Sequence, residues 1–231
     1  MKKIVFFIMC LVITTSLFAF DIIAGGQAGL LHGSGTGSDW DDMVNQPGLA
    51  NEFRLGFEMG GFWEIPVNNF FSIQPELSFV FIRAGYGGKY DVFENHPYYG
   101  PTIYTEKIAF SVLVKTLEIP VLAKVNFGPK KFKFFVLAGP MLQIIIGDIE
   151  ASTDIQTNSY YGDYDENQNI TPDNRVIFGG ALGVGFSVKT GDGKFIFDVR
   201  YRKTFTNYSD NDNTKLEVFG FRIGYGVDVE L

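Results

Sequence analysis

From Glu52 to Ile65 the chain alternates apolar and polar residues with a period of two. Phe53, Leu55, Phe57, Met59, Trp63 and Ile65 take one parity; Glu52, Arg54, Gly56, Glu58, Gly60 and Glu64 take the other, with Phe62 the exception. Successive side chains of a strand point to opposite faces, so this run predicts a strand with one greasy and one polar face. A helix would scatter the four charges around its surface. The run is also longer than most strands of soluble proteins, which have about five or six residues.

The pattern recurs. Phe71, Ile73, Leu77, Phe79 and Phe81 oppose Ser72, Gln74, Glu76 and Ser78, and Leu117 to Phe127 oppose Glu118, Lys124 and Asn126. Phe195, Phe197, Val199, Tyr201 and Phe205 oppose Asp198, Arg200, Arg202 and Thr204, and Phe219 to Leu231 oppose Arg222, Asp228 and Glu230. Less sharply patterned runs at Ile22–Leu31, Phe132–Ile146 and Val176–Val188 bring the number of strands to eight. Short connections rich in Asn, Gly, Asp and Pro fall at 66–70, 128–131 and 190–194, as turn chemistry requires. Long ones fall at 32–51, 84 to about 102, 147–174 and 207–214; Ile103–Lys115 either extends the fourth strand or belongs to the second long loop.

Short and long connections in strict alternation predict an all-β fold: an eight-stranded antiparallel up-and-down transmembrane β-barrel with short periplasmic turns and long extracellular loops. Rings near strand ends, Trp63, Phe70, Phe71, Phe127, Phe132 and Phe195 on one side and Phe53, Phe81, Tyr201, Phe205 and Phe219 on the other, suit aromatic girdles. A soluble lipocalin-like barrel with its greasy face inward is the competing arrangement. Lys2, Lys3, the apolar run Ile4–Ile13 and Ala19 read as a signal peptide over 1–19, with a barrel domain over 20–231 and the bacterial outer membrane as destination. Cleavage there would remove Cys10, the only cysteine, and with it thiolate chemistry. After residue 20 the longest greasy stretch, Phe134–Ile146, is interrupted by Gly139, Pro140 and Gln143, too short for a spanning helix. The net charge of −7 argues against a nucleic-acid partner.

Ser-Ile-Gln-Pro-Glu-Leu-Ser-Phe (72–79), Leu-Glu-Ile-Pro-Val-Leu-Ala-Lys-Val (117–125), Phe-Val-Leu-Ala-Gly-Pro (135–140) and Phe-Asp-Val-Arg-Tyr (197–201) resemble segments of the PorT-like family of outer-membrane β-barrel domains. The resemblance implies a barrel over most of the mature chain. Some members of that family serve a protein secretion apparatus, and the motifs describe strands and turns, not an activity.

Ten charges should point into the barrel: Glu52, Arg54, Glu58, Glu76, Glu118, Lys124, Asp198, Arg200, Arg202 and Arg222. Eight strands enclose a lumen that side chains fill, so both signs must interlock there. A narrow conductive path is the alternative. His32-Gly33-Ser34 is a His-x-Ser with no identifiable orienting carboxylate, which disfavours nucleophilic catalysis, and His96 stands alone. The third long connection is acidic, with Asp148, Glu150, Asp154, Asp163, Asp165, Glu166 and Asp173 and no Lys or Arg; within it Asp163, Asp165 and Asn167 form a weak candidate metal site that lacks the Gly and distal Glu of an EF-hand loop. Tyr160, Tyr161 and Tyr164 add rings suited to recognition. The glycine cluster at 179–185 lies within a strand, with no helix to follow, and is no nucleotide loop.

These features predict a non-enzymatic protein without a cofactor, structural or presenting acidic loops to an external partner, in contact with outer-membrane lipid and lipopolysaccharide. A small ion channel and a secretion-apparatus component are the alternatives.

Overall fold

The computed structural model describes residues 22–96, 100–157, 163–208 and 214–229. The predicted signal peptide, Cys10, Tyr160, Tyr161 and the side chain of His96 lie outside the described part. The elements are β1 (Ile22–Thr36), α1 (Ser38–Val44), β2 (Leu49–Asn51), β3 (Leu55–Pro66), β4 (Phe71–His96), β5 (Gly100–Phe127), β6 (Phe132–Ile145), β7 (Ile149–Thr157), β8 (Tyr164–Ile170), β9 (Val176–Thr190), β10 (Gly193–Thr204) and β11 (Lys215–Val229).

Eight of these strands close into a ring: β1, β3, β4, β5, β6, β9, β10 and β11 pair in that order, and β11 returns to β1, every pairing antiparallel. Closure leaves the barrel wall with no free edge. The remaining three strands stand beyond the wall. β2 joins β4 at Tyr86–Gly88, β7 joins β5 at Glu106–Leu113, and β8 joins β7.

The structure corrects the reading of residues 84–102 as a loop. β4 has 26 residues and β5 has 28, and their ladder runs without a break in register from Phe71 opposite Val125 to His96 opposite Gly100. Arg83-Ala-Gly-Tyr-Gly-Gly has turn-rich composition, yet β2 and β5 flank it and keep it extended, with β7 on the far side of β5. Ile103–Lys115 therefore continues β5 beyond the barrel, and β2, β4, β5, β7 and β8 form a five-stranded sheet at the outer end. At the other end the connections are tight. Gly191 takes φ 61° in the two-residue link between β9 and β10, a conformation that favours glycine.

The apolar parity faces outward. On β11 Phe221 is 53% exposed, whereas the neighbouring Arg222 is 2% exposed. Phe57, Met59, Phe79, Leu182, Val184 and Ile223 are likewise exposed, a greasy band that water would not tolerate and lipid would cover. Trp63, Phe70, Phe127 and Phe195 rim the short-turn end and Phe53, Phe205 and Phe219 the other, all exposed. This inside-out arrangement rules out the lipocalin-like alternative, whose greasy face would be buried.

Candidate functional site

The inward side chains of β10 cut a section through the lumen: Lys194, Ile196, Asp198, Arg200, Arg202 and Thr204, from the short turns outward. Each marks a layer.

The first layer is ionic. Lys124 Nζ lies 2.8 Å and Lys194 Nζ 2.6 Å from the same oxygen of Glu64. Lys124 also donates to Gln74 at 3.0 Å and sits 4.2 Å from the centre of the Phe135 ring. Above it Ile196 packs with Phe62, Leu122, Phe135, Leu137 and Ala181. Phe62, the residue that broke the alternation of β3, is thus an inward core residue.

The central layers hold the guanidinium groups. Arg200 Nη1 and Arg222 Nη1 approach Glu76 Oε2 at 2.8 and 2.9 Å, and Arg222 also pairs with Asp198 at 2.9 Å. Gln27 and Gln74 donate to the same Glu76 carboxylate at 3.1 and 2.6 Å. One step outward, Arg202 bridges Glu58 at 2.6 Å and Glu118 at 2.7 Å, and Gln143 donates to Glu118 at 2.6 Å. These chains run from β3 and β4 to β10 and β11 across the barrel axis. Isolated ions would be costly in a space screened from water, and here each carboxylate meets a cation and further donors.

Above the ions the interior turns apolar. Leu31, Val80, Ile82, Val114, Ile145, Ile177, Leu216 and Val218 form one cluster, continued into the outer sheet by Ala84, Tyr86 and Ile149. α1 drops Trp40 onto it: the ring meets Tyr86 edge-on at 5.4 Å between centroids, and its Nε1 donates to Asn51 at 2.9 Å. Lumen and outer mouth are both filled.

Of the ten charges assigned to the interior, Glu58, Glu76, Glu118, Lys124, Asp198, Arg200, Arg202 and Arg222 are buried in this network. Glu52 and Arg54 are not brought into it. They pair with each other, each about one-third exposed, in the segment before β3 begins. There the Glu52 amide bonds to Gly85 and β2 pairs with β4 in a shifted register, so the strand's parity no longer applies. The interior gains two charges that were not on the list, Glu64 and Lys194. Glu64 shares the polar parity of β3 and was legible; Lys194 stood in a segment read as a turn.

The outer sheet carries the second group of polar residues. Across β7 and β8, Glu150 stands opposite Asn169, Ser152 opposite Asn167, and Asp154 opposite Asp165, all on one face. Ile149 and Ala151, on the other face, are buried. A cleft of about 390 Å³ beside this ladder is lined by Arg54, Arg83, Ser111, Glu150, Asn167 and Asn169, among others. Next to it Lys115 Nζ meets Glu150 at 2.5 Å.

The candidate metal residues do not converge. Asp163, Asp165 and Asn167 alternate along extended chain, where same-face neighbours are roughly 7 Å apart, too far to share one ion. Asp163 accepts the Thr157 amide at 3.0 Å, and no group of three or more metal-ligating side chains occurs among the described residues. Nor do His32 and Ser34 meet. The His32 ring stacks on Phe53 at 4.7 Å with its Nδ1 3.4 Å from the Arg54 backbone, while the Ser34 hydroxyl donates to the Gly35 carbonyl at 3.2 Å.

Comparison with known proteins bears on the same architecture. The family described as outer membrane protein beta-barrel domain matches residues 30–210. No curated protein matches the chain. Among solved structures, the chain is similar to the Neisserial surface protein A (12% identity, 89% of this chain and 97% of that one, TM-score 0.42). It is also similar to OprG from Pseudomonas aeruginosa (13% identity, 92% and 97%, TM-score 0.45) and to the outer membrane protease OmpT from Escherichia coli (10% identity, 93% and 99%, TM-score 0.36).

Proposed function

Since this chain belongs to the outer membrane protein beta-barrel domain family and lies in the bacterial outer membrane, we propose that it is a non-enzymatic scaffold that holds a rigid, acidic β-sheet outside the membrane for recognition by another molecule. The observation that carries this reading is the uninterrupted passage of β4 and β5 from the barrel wall into the outer sheet. A surface supported in this way is fixed in height and orientation, which lowers the entropic cost of binding compared with a flexible loop.

The outer strand of that sheet, β8, has every residue exposed, and its far edge has no strand partner among the described residues. An extended segment of a partner can add there by backbone hydrogen bonds, with the carboxylates of Asp165 and Glu166 favouring a basic one. The cleft between Arg54, Arg83 and Asn169 offers charged and amide groups beside it. Lipopolysaccharide is the neighbour these groups would meet around the barrel, and a secretion component, as in some PorT-like relatives, is a partner that such an edge would suit. The filled lumen counts against a channel.

Site-specific photo-crosslinking on intact cells tests the proposal. A crosslinker at Gln168 on β8 is expected to give a discrete adduct that one at the lipid-facing Leu182 does not. Adducts absent from every β8 position, together with stepwise conductance in planar bilayers, would replace the scaffold with a pore.

A further inference from the structure

The short-turn end of the barrel is an open basin of about 710 Å³, and its wall is studded with lysines. Three of these follow the inward parity of their strands. Lys133 precedes buried Phe135 by two residues on β6, Lys189 follows buried Ser187 by two on β9, and Lys194 precedes buried Ile196 by two on β10. They point toward the barrel axis and away from the lipid, so they are not anchors for surrounding headgroups.

These cations are crowded together. Lys189 and Lys194 occupy directly opposed positions on adjacent strands, and the Lys189 amide bonds to the Lys131 carbonyl at 2.9 Å. Like charges in such positions repel. Among the described residues the carboxylates lining the basin are Asp228, which meets Lys189 at 3.2 Å, and Glu64 at the floor, already shared by Lys194 and Lys124. Among the described residues Lys131 and Lys133 have no ion pair. A chain of net charge −7 thus gathers positive charge in a concave site whose inner end is sealed by the arginine network.

We propose that this basin is a binding site on the periplasmic side for a small multivalent anion carrying phosphate groups. Repulsion among Lys131, Lys133, Lys189 and Lys194 is relieved when the anion's oxygens accept from them. The volume falls in the range of small-molecule sites, roughly 300–1,000 Å³. The layers above leave no onward path, so the site retains its ligand and does not conduct it.

The test uses the full chain in nanodiscs of zwitterionic lipid, titrated with tripolyphosphate by calorimetry. One-to-one saturable binding that weakens with salt is expected. Lys131→Gln with Lys133→Gln should weaken it at least about tenfold, since two cations with no ion pair among the described residues are lost. Lys89→Gln with Lys107→Gln, on the outer sheet, should leave it unchanged, and a heat-dependent shift in gel mobility shows that each variant remains a closed barrel. Repeating the titration in phosphatidylglycerol nanodiscs separates the two sources of phosphate. Undiminished affinity supports a soluble ligand, and loss of binding assigns the basin to lipid headgroups and overturns the proposal. Absence of saturation in the parent protein, or equal affinity in the Lys131/Lys133 variant, overturns it as well.

Discussion

Arg202 Nη2 lies 2.6 Å from both carboxylate oxygens of Glu58, a contact that joins β10 to β3 through the interior of the barrel. Both side chains are buried, so neither charge has water to fall back on. Removing one partner of such a pair strands the other. Glu58→Gln should therefore destabilise the barrel by about 3 kcal/mol, read from denaturant unfolding in lipid vesicles. Arg175→Ala, which breaks an exposed contact to Asp148, should cost less than about 1 kcal/mol. Equal costs for the two would mean that water reaches the interior network.

The outward face makes a separate prediction. Leu182 lies midway along β9 and is more than half exposed. An arginine there would face hydrocarbon, and Leu182→Arg should lose about 2–4 kcal/mol in the same unfolding measurement. A barrel standing in water would accept the change almost without loss.

The two tryptophans sample opposite surroundings. Trp63 is 45% exposed on the lipid side, whereas Trp40 is 6% exposed beneath the outer sheet. With Trp40→Phe in place, brominated acyl chains should quench the remaining fluorescence strongly. With Trp63→Phe they should quench it little. Strong quenching of Trp40 would place α1 in the bilayer and contradict its position over the barrel mouth.

Much of this architecture was legible in the order of residues, for reasons that also explain the gaps. Alternation over Glu52–Ile65 and Phe71–Phe81 revealed the wall because lipid and lumen select opposite chemistry for the two faces. It was less informative where both faces are apolar. Val80 lies between outward Phe79 and Phe81, Ile82 follows Phe81 directly, and Ile177 lies between Val176 and Phe178, so the upper core looked like undifferentiated greasiness. Glu52 and Arg54 were misplaced because parity holds only while a strand lasts. The outer sheet went unseen since Gly85, Gly87 and Gly88 suggest a turn, and only neighbouring strands, distant in sequence, hold that stretch extended.

Conductance separates the filled lumen from a narrow path. Bilayers containing the pure protein should stay silent, and Trp40→Ala should leave them silent, because the Glu76–Arg200–Arg222 layer lies farther inside. Opening by Trp40→Ala alone would show that the helix, and not the ion network, is the seal.

The constant register between β4 and β5 also has a mechanical consequence. A pull at the tip of the outer sheet runs along the strands, so it loads the cross-strand hydrogen bonds in shear, many at once, and does not unzip them one by one. Tension applied by a bound partner would pass into the barrel wall, and the binding contact would give way before the staves that support it.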